Sequence, residues 1–156
     1  MATQETLETN QPLVLENFLP YRLSVLTNRI SRQLSELYAE RFDLSISEWR
    51  VLSVVARCPG VSAEQVCRKT EMDKVAVSRA VARLLKSERL QRSYAAEDKR
   101  RSVLRLSIQG RRIYERIVPL ARNFETQVIG DLTRRDRNDL ERVLAKLDAA
   151  IAHIER

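Results

Sequence analysis

Asp98-Lys-Arg-Arg-Ser-Val-Leu-Arg-Leu-Ser107 is the stretch whose reading decides the fold. Its first half is a run of charge, and its second half alternates polar and apolar residues, as a short strand leaving a charged hairpin tip does. Leu90-Gln-Arg-Ser-Tyr94 alternates in the same way. The two therefore read as an antiparallel ribbon joined by the loop from Ala95 to Arg101.

Working upstream, Val77, Ala80, Val81, Leu84 and Leu85 recur at helical spacing behind Asp73, which is placed to cap a helix start. That stripe leaves Lys74, Ser78, Arg79, Arg83 and Lys86 on exposed or flanking positions. Just before it, Ser62-Ala-Glu-Gln65 is a capping-box signature opening a short helix to about Thr70, with Ala63, Val66 and Cys67 as inward candidates. Two short helices across a tight turn, the second polar and basic outside, form the helix-turn-helix pattern. With the ribbon behind it, the expected class is mainly α with a small β element: a winged helix-turn-helix with a two-stranded wing. Such a module offers a helix to the DNA major groove and a ribbon tip to the backbone and minor groove.

Further out, the chain is helical on both sides. From about Asn17 to Arg41, Leu19, Leu23, Leu26, Ile30, Leu34 and Leu37 repeat every three or four residues. Ser45-Ile-Ser-Glu48 is a second capping box, leading a helix with Trp49, Leu52 and Val55 that stops near Pro59-Gly60. After Ser107, a helix to about Gly130 carries Ile113, Tyr114, Ile117, Leu120, Phe124 and Val128, with Pro119 removing an amide donor inside it. A final helix behind Thr133-Arg-Arg-Asp136 carries Leu140, Val143, Leu144, Leu147, Ala150, Ile151 and Ile154 at near-heptad spacing. Long seams at both ends of a small module suit an interface between two copies, or packing on one another within one chain.

Composition bounds the function. At 156 residues and 44% apolar content the chain can bury one substantial core. The net charge of +7 is unevenly spread: Arg57 to Arg112 holds fifteen Lys and Arg against six Asp and Glu, a local +9, and the rest is −2. A basic middle that coincides with the helix and hairpin is an electrostatic footprint for phosphates. Cys58 and Cys67 lack zinc-site spacing and a second pair, so no metal is expected and a reduced compartment fits. The sole histidine, His153, has no carboxylate pair, nucleophile motif or phosphate loop with it. No enzyme and no cofactor are expected. The start lacks the basic and apolar regions of a signal peptide, and no run approaches the ~18 apolar residues of a membrane span. A soluble, cytoplasmic protein is the expectation.

The order of long helix, two short helices, polar-faced helix, wing and two terminal helices resembles the MarR family of bacterial transcriptional regulators. So does Asp98-x-Arg100 followed by Leu106-Ser107, where the family has aspartate and arginine two apart and then leucine and threonine; serine stands for the threonine here. One departure is Ser87-Glu-Arg89-Leu90: the family usually places a glycine before the leucine to take a left-handed helix cap. Arg89 would have to adopt that conformation or the chain another exit.

The resemblance implies a homodimer held by the terminal helices on a pseudo-palindromic operator, its two recognition helices in successive major grooves ~34 Å apart. The implied division is a flexible tail over 1–14, a helical dimerisation region from 15–44 and 107–156, and a winged DNA-binding domain over 45–106. Lys74, Ser78, Arg79 and Arg83 are the candidates for groove and phosphate contacts, Arg100 for minor-groove insertion, and Lys99 and Arg101 for phosphates. Asp98 is the candidate wing anchor, and Arg79 has a second reading as its partner. The resemblance also implies a repressor released by a small ligand such as an aromatic or phenolic acid. Tyr21, Arg22, Asn28 and Trp49 are the candidate lining, Arg22 pairing the acid while the rings stack; Arg22 as a solvated arginine and Trp49 as core are the structural readings. A non-specific architectural DNA binder and a helical protein-interaction adaptor are the rival functions.

Overall fold

The computed structural model describes residues 12–94 and 102–154. A single 3-10 turn, Leu15–Asn17, leads into α1 (Leu19–Phe42), α2 (Ile46–Arg57), α3 (Ala63–Thr70) and α4 (Lys74–Lys86). Then come β1 (Leu90–Tyr94), β2 (Ser102–Leu106), α5 (Ile108–Val128) and α6 (Arg134–Ile154). The chain divides between Arg111 and Arg112 into two compact units. The expected mainly helical winged fold is what forms. Part of the expected tail, residues 1–11, lies outside the described residues, as do the wing candidates Asp98, Lys99, Arg100 and Arg101.

Helix starts follow the side chains that satisfy free amides. Ser45 accepts from the Glu48 amide at 3.2 Å while Glu48 accepts from the Ser45 amide at 2.8 Å, and Ser62 and Gln65 repeat the exchange at the same two distances. Asp73 accepts from the Ala76 amide at 2.8 Å and starts α4. The first long helix begins at Leu19, the first leucine of its stripe and just after the expected start near Asn17. Pro20 explains this: it has no amide to donate, so it is tolerated in a first turn and not further in.

The core of the first unit is built by α1 through β2. Tyr38, Leu44, Val51, Leu52, Val55, Val66, Val77, Val81, Leu84, Leu90 and Leu104 are all buried. Strands β1 and β2 pair antiparallel, Leu90 opposite Leu106 and Tyr94 opposite Ser102. The wing is tied to the turn after α2, because the Leu104 amide donates to Val61 at 2.8 Å and the Gly60 amide to Leu104 at 2.9 Å. Gly60 makes that turn at φ 89°, a conformation that favours glycine.

In the second unit α5 continues through Pro119, and α6 leaves Leu140, Val143, Leu144, Ile151 and Ile154 exposed. The amino-terminal part of α1 in the first unit is similar, with Leu19, Leu23, Val25 and Leu26 all exposed. Among the described residues no helix is long and apolar enough to cross a membrane.

Candidate nucleic-acid interface

Helix α4 buries Val77, Ala80, Val81 and Leu84 and exposes Lys74, Ser78, Arg79, Arg83 and Lys86. A period of 3.6 residues turns Ser78 and Arg79 away from the core stripe, with Lys74 one turn before Ser78 at the helix start. Arg83 differs from the other three. Its Nε lies 3.4 Å from Oε1 of Glu48, a carboxylate that is only 2% exposed although it is charged. The other oxygen, Oε2, accepts from the amide and the hydroxyl of Ser45. Arg83 is itself 65% exposed along its side chain, so the pair alone adds little. Its consequence is positional: α4 is pinned to the start of α2, because a buried carboxylate needs its partners. No spacing in the sequence announces a pair that is far apart in the chain.

The exit of α4 sets where the wing begins. The Arg89 amide donates to Leu84 at 2.8 Å and the Glu88 amide to Leu85 at 3.1 Å, with Glu88 left-handed at φ 54°. This is a Schellman closure. The left-handed residue is thus Glu88, one position before the departure expected at Arg89. Arg89 is left to bridge back to α1, where its guanidinium donates to the carbonyls of Phe42 at 2.7 Å and Asp43 at 2.9 Å and closes the carboxyl end of the helix. An arginine there also meets the negative pole of that helix.

Ser107 locks the return strand against the same exit. Its hydroxyl donates to the Glu88 carbonyl at 2.6 Å and accepts from the Gly110 amide at 2.9 Å, and its own amide donates to Arg89 at 3.2 Å. Gly110 allows this approach, since a Cβ built there would stand 1.9 Å from the Arg89 carbonyl oxygen. A glycine in the first turn of a helix was the available sign, for it is a poor helix former with no left-handed turn to make.

On the ribbon, Gln91, Arg92, Ser93 and Tyr94 are exposed while Val103 and Leu104 are buried. Arg92 and Arg105 add two exposed cations to the wing that the charge run alone does not single out; Arg92 stands opposite buried Leu104, so strand alternation does not announce its exposure. Arg105 lies over Gly60, its guanidinium 3.5 Å from where a Cβ would be.

Of the four candidate ligand residues, Tyr21 and Arg22 share a surface cavity of about 280 Å³ with Glu16, Val25, Leu26 and Arg29. Asn28 and Trp49 are not in that lining. Trp49 stands against Tyr38, ring centroids 5.3 Å apart and planes at 50°. The Tyr38 hydroxyl is buried with no hydrogen-bond partner among the described residues, and burial pushes its pKa up. Cys58 and Cys67 are free and half-buried, and no group of three metal-ligating side chains occurs among the described residues.

A model described as the MarR family matches residues 42–101, from the end of α1 through α4 and into the wing. Residues 42–101 thus carry the pattern of the MarR family. The chain is a DNA-binding transcriptional regulator, in a family of regulators and not of enzymes. The relatives agree with that match. The HTH-type transcriptional regulator BilQ of Clostridium symbiosum (strain WAL-14163) is 25% identical over 113 residues, 72% of this chain and 77% of that protein. A MarR/EmrR family regulator from Acinetobacter sp. ADP1 superposes with a TM-score of 0.84 at 24% identity, covering 90% of this chain and 99% of the other. BpsR of Bordetella bronchiseptica, whose DNA binding is regulated by 6-hydroxynicotinic acid, gives 0.78 at 21% identity over 88% and 98%.

Proposed function

We propose that this MarR protein is a homodimeric repressor that leaves a pseudo-palindromic operator when a small aromatic carboxylate binds. Lys74, Ser78, Arg79 and Arg83 meet the major groove and its phosphates, Arg83 also keeping α4 seated on α2, Arg100 enters the minor groove, and Lys99 and Arg101 meet phosphates. Asp98 anchors the wing, with Arg79 as its candidate partner.

The observation that carries the effector is the cavity at the start of α1, where Tyr21, Arg22 and Arg29 meet apolar Val25 and Leu26. Two guanidinium groups beside an aromatic ring suit a flat acid, one pairing the carboxylate and the ring stacking on its face. BpsR, with its heteroaromatic acid, supports the same chemical class. Asn28 and Trp49 lie outside that lining. The exposed leucines of α1 and the exposed apolar residues of α6 support a dimer, since apolar seams of that length are covered in solution by another helix.

Release requires an effector that prefers the conformation with the wrong half-site spacing. The test is selection of bound DNA from a random pool, followed by titration of the selected duplex at matched salt with a panel of aromatic acids. A preferred two-fold sequence, lost on adding one of the acids, is expected; equal binding to all sequences would leave only a non-specific binder.

A further inference from the structure

Val75 is the residue of α4 that core packing does not explain. It is 58% exposed, and between Leu26 and Tyr94 it is the one large apolar side chain that is exposed. It sits in the first turn of α4, just after Lys74, with Ser78 and Arg79 three and four positions on. Those spacings put Val75, Ser78 and Arg79 on one face.

An exposed valine weakens a helix, because its branched Cβ loses rotamer freedom against the preceding turn. The same stiffness gives a fixed pair of methyl groups with little left to order on binding. The first turn of a recognition helix is the part that reaches base edges. Among those edges, one major-groove group is matched by an aliphatic side chain: the C5-methyl of thymine. Resting on the operator reading above, we infer that Val75 reads a thymine methyl in each half-site, between the phosphate contact of Lys74 and the polar contacts of Ser78 and Arg79. It makes no hydrogen bond and positions nothing else. It selects T over C and over uracil by burying one methyl.

The test uses the full chain and the duplex selected from the random pool, with each thymine replaced in turn by deoxyuridine, which keeps every hydrogen-bonding group and lacks the methyl. For the wild type, one replacement per half-site weakens binding about fourfold, the value of one buried methyl. In Val75→Ala, which folds because alanine is the better helix former, that replacement has no effect while the remaining thymines behave as in the wild type. Val75→Ile restores the discrimination. A wild type indifferent to every replacement overturns the inference, as does a Val75→Ala protein that discriminates as well as the wild type. A pool that yields no preferred sequence brings down the operator reading and Val75 with it; a clear sequence with uridine indifference brings down Val75 alone.

Discussion

The hydroxyl of Ser107 stands 2.6 Å from the carbonyl oxygen of Glu88, joining the last residue before α5 to the left-handed exit of the recognition helix. One side chain therefore holds three things in register: the end of the wing, the end of α4 and, through the Gly110 amide, the start of α5. Replacing Ser107 with alanine leaves a buried amide and a carbonyl without a partner, and a loss of about 1–3 kcal/mol is expected. Ser107→Thr keeps the hydroxyl and most of the stability. Urea unfolding of both variants checks this, and equal midpoints for wild type and Ser107→Ala would falsify the role.

Gly110→Ala asks more of the same junction. The new methyl meets the Arg89 carbonyl oxygen at 1.9 Å and its carbonyl carbon at 2.8 Å, both backbone atoms that no side-chain rotation can clear. Overpacking against backbone is expected to cost about 3 kcal/mol. The same variant should lose operator affinity, because relief moves the wing away from α4. Thermal unfolding and a DNA titration on one preparation separate the two effects.

Glu88→Gly runs in the opposite direction. Glu88 holds φ 54° at the Schellman position, where a side chain is strained and glycine is not. A gain of about 1 kcal/mol is expected, less the greater freedom of glycine in the unfolded chain. The serine bond to the Glu88 carbonyl is unaffected, since it uses backbone. An unchanged or lowered urea midpoint would count against strain at this residue.

Asp136 carries a pH dependence at the start of α6. The Thr133 hydroxyl donates to its carboxylate at 2.6 Å and the Thr133 amide at 2.9 Å, and these two bonds hold its pKa below the ordinary carboxylate value. Because the folded pKa is depressed, the cap contributes fully above the unfolded pKa and is lost as pH falls through the folded one. A carbon-detected NMR titration should place the Asp136 midpoint below that of an unstructured aspartate. Thr133→Val should move it back up, the hydroxyl being the larger of the two causes.

Arg100→Ala is expected to weaken operator binding by roughly 1–3 kcal/mol with the dimer intact. Anisotropy titration at fixed salt measures the first, and sedimentation the second. Affinity equal to the wild type would remove Arg100 from the groove.

Much of this protein is legible in the order of its residues. Ser45, Ser62 and Asp73 each declare a helix start within three residues, and Val77, Ala80, Val81 and Leu84 declare which side of α4 is buried. These are local matters, fixed by the reach of a side chain to its own backbone and by helical period. The leucines of α1 begin with the helix itself at Leu19, and Pro20 in the first turn marks the same start. Val75 escapes a reading by pattern because a valine beside a buried stripe looks like core until its exposure is known.

The sequence by itself determined the elements, the wing, the basic face and the likeness to MarR regulators. Only the tertiary structure decided which distant groups meet: Arg83 on buried Glu48, Arg89 closing α1, Ser107 on Glu88, and Gly110 under the Arg89 carbonyl. The physical reason is distance along the chain. Caps and periods act over a few residues, whereas these contacts join segments up to 47 residues apart and exist only once the core has brought their backbones together.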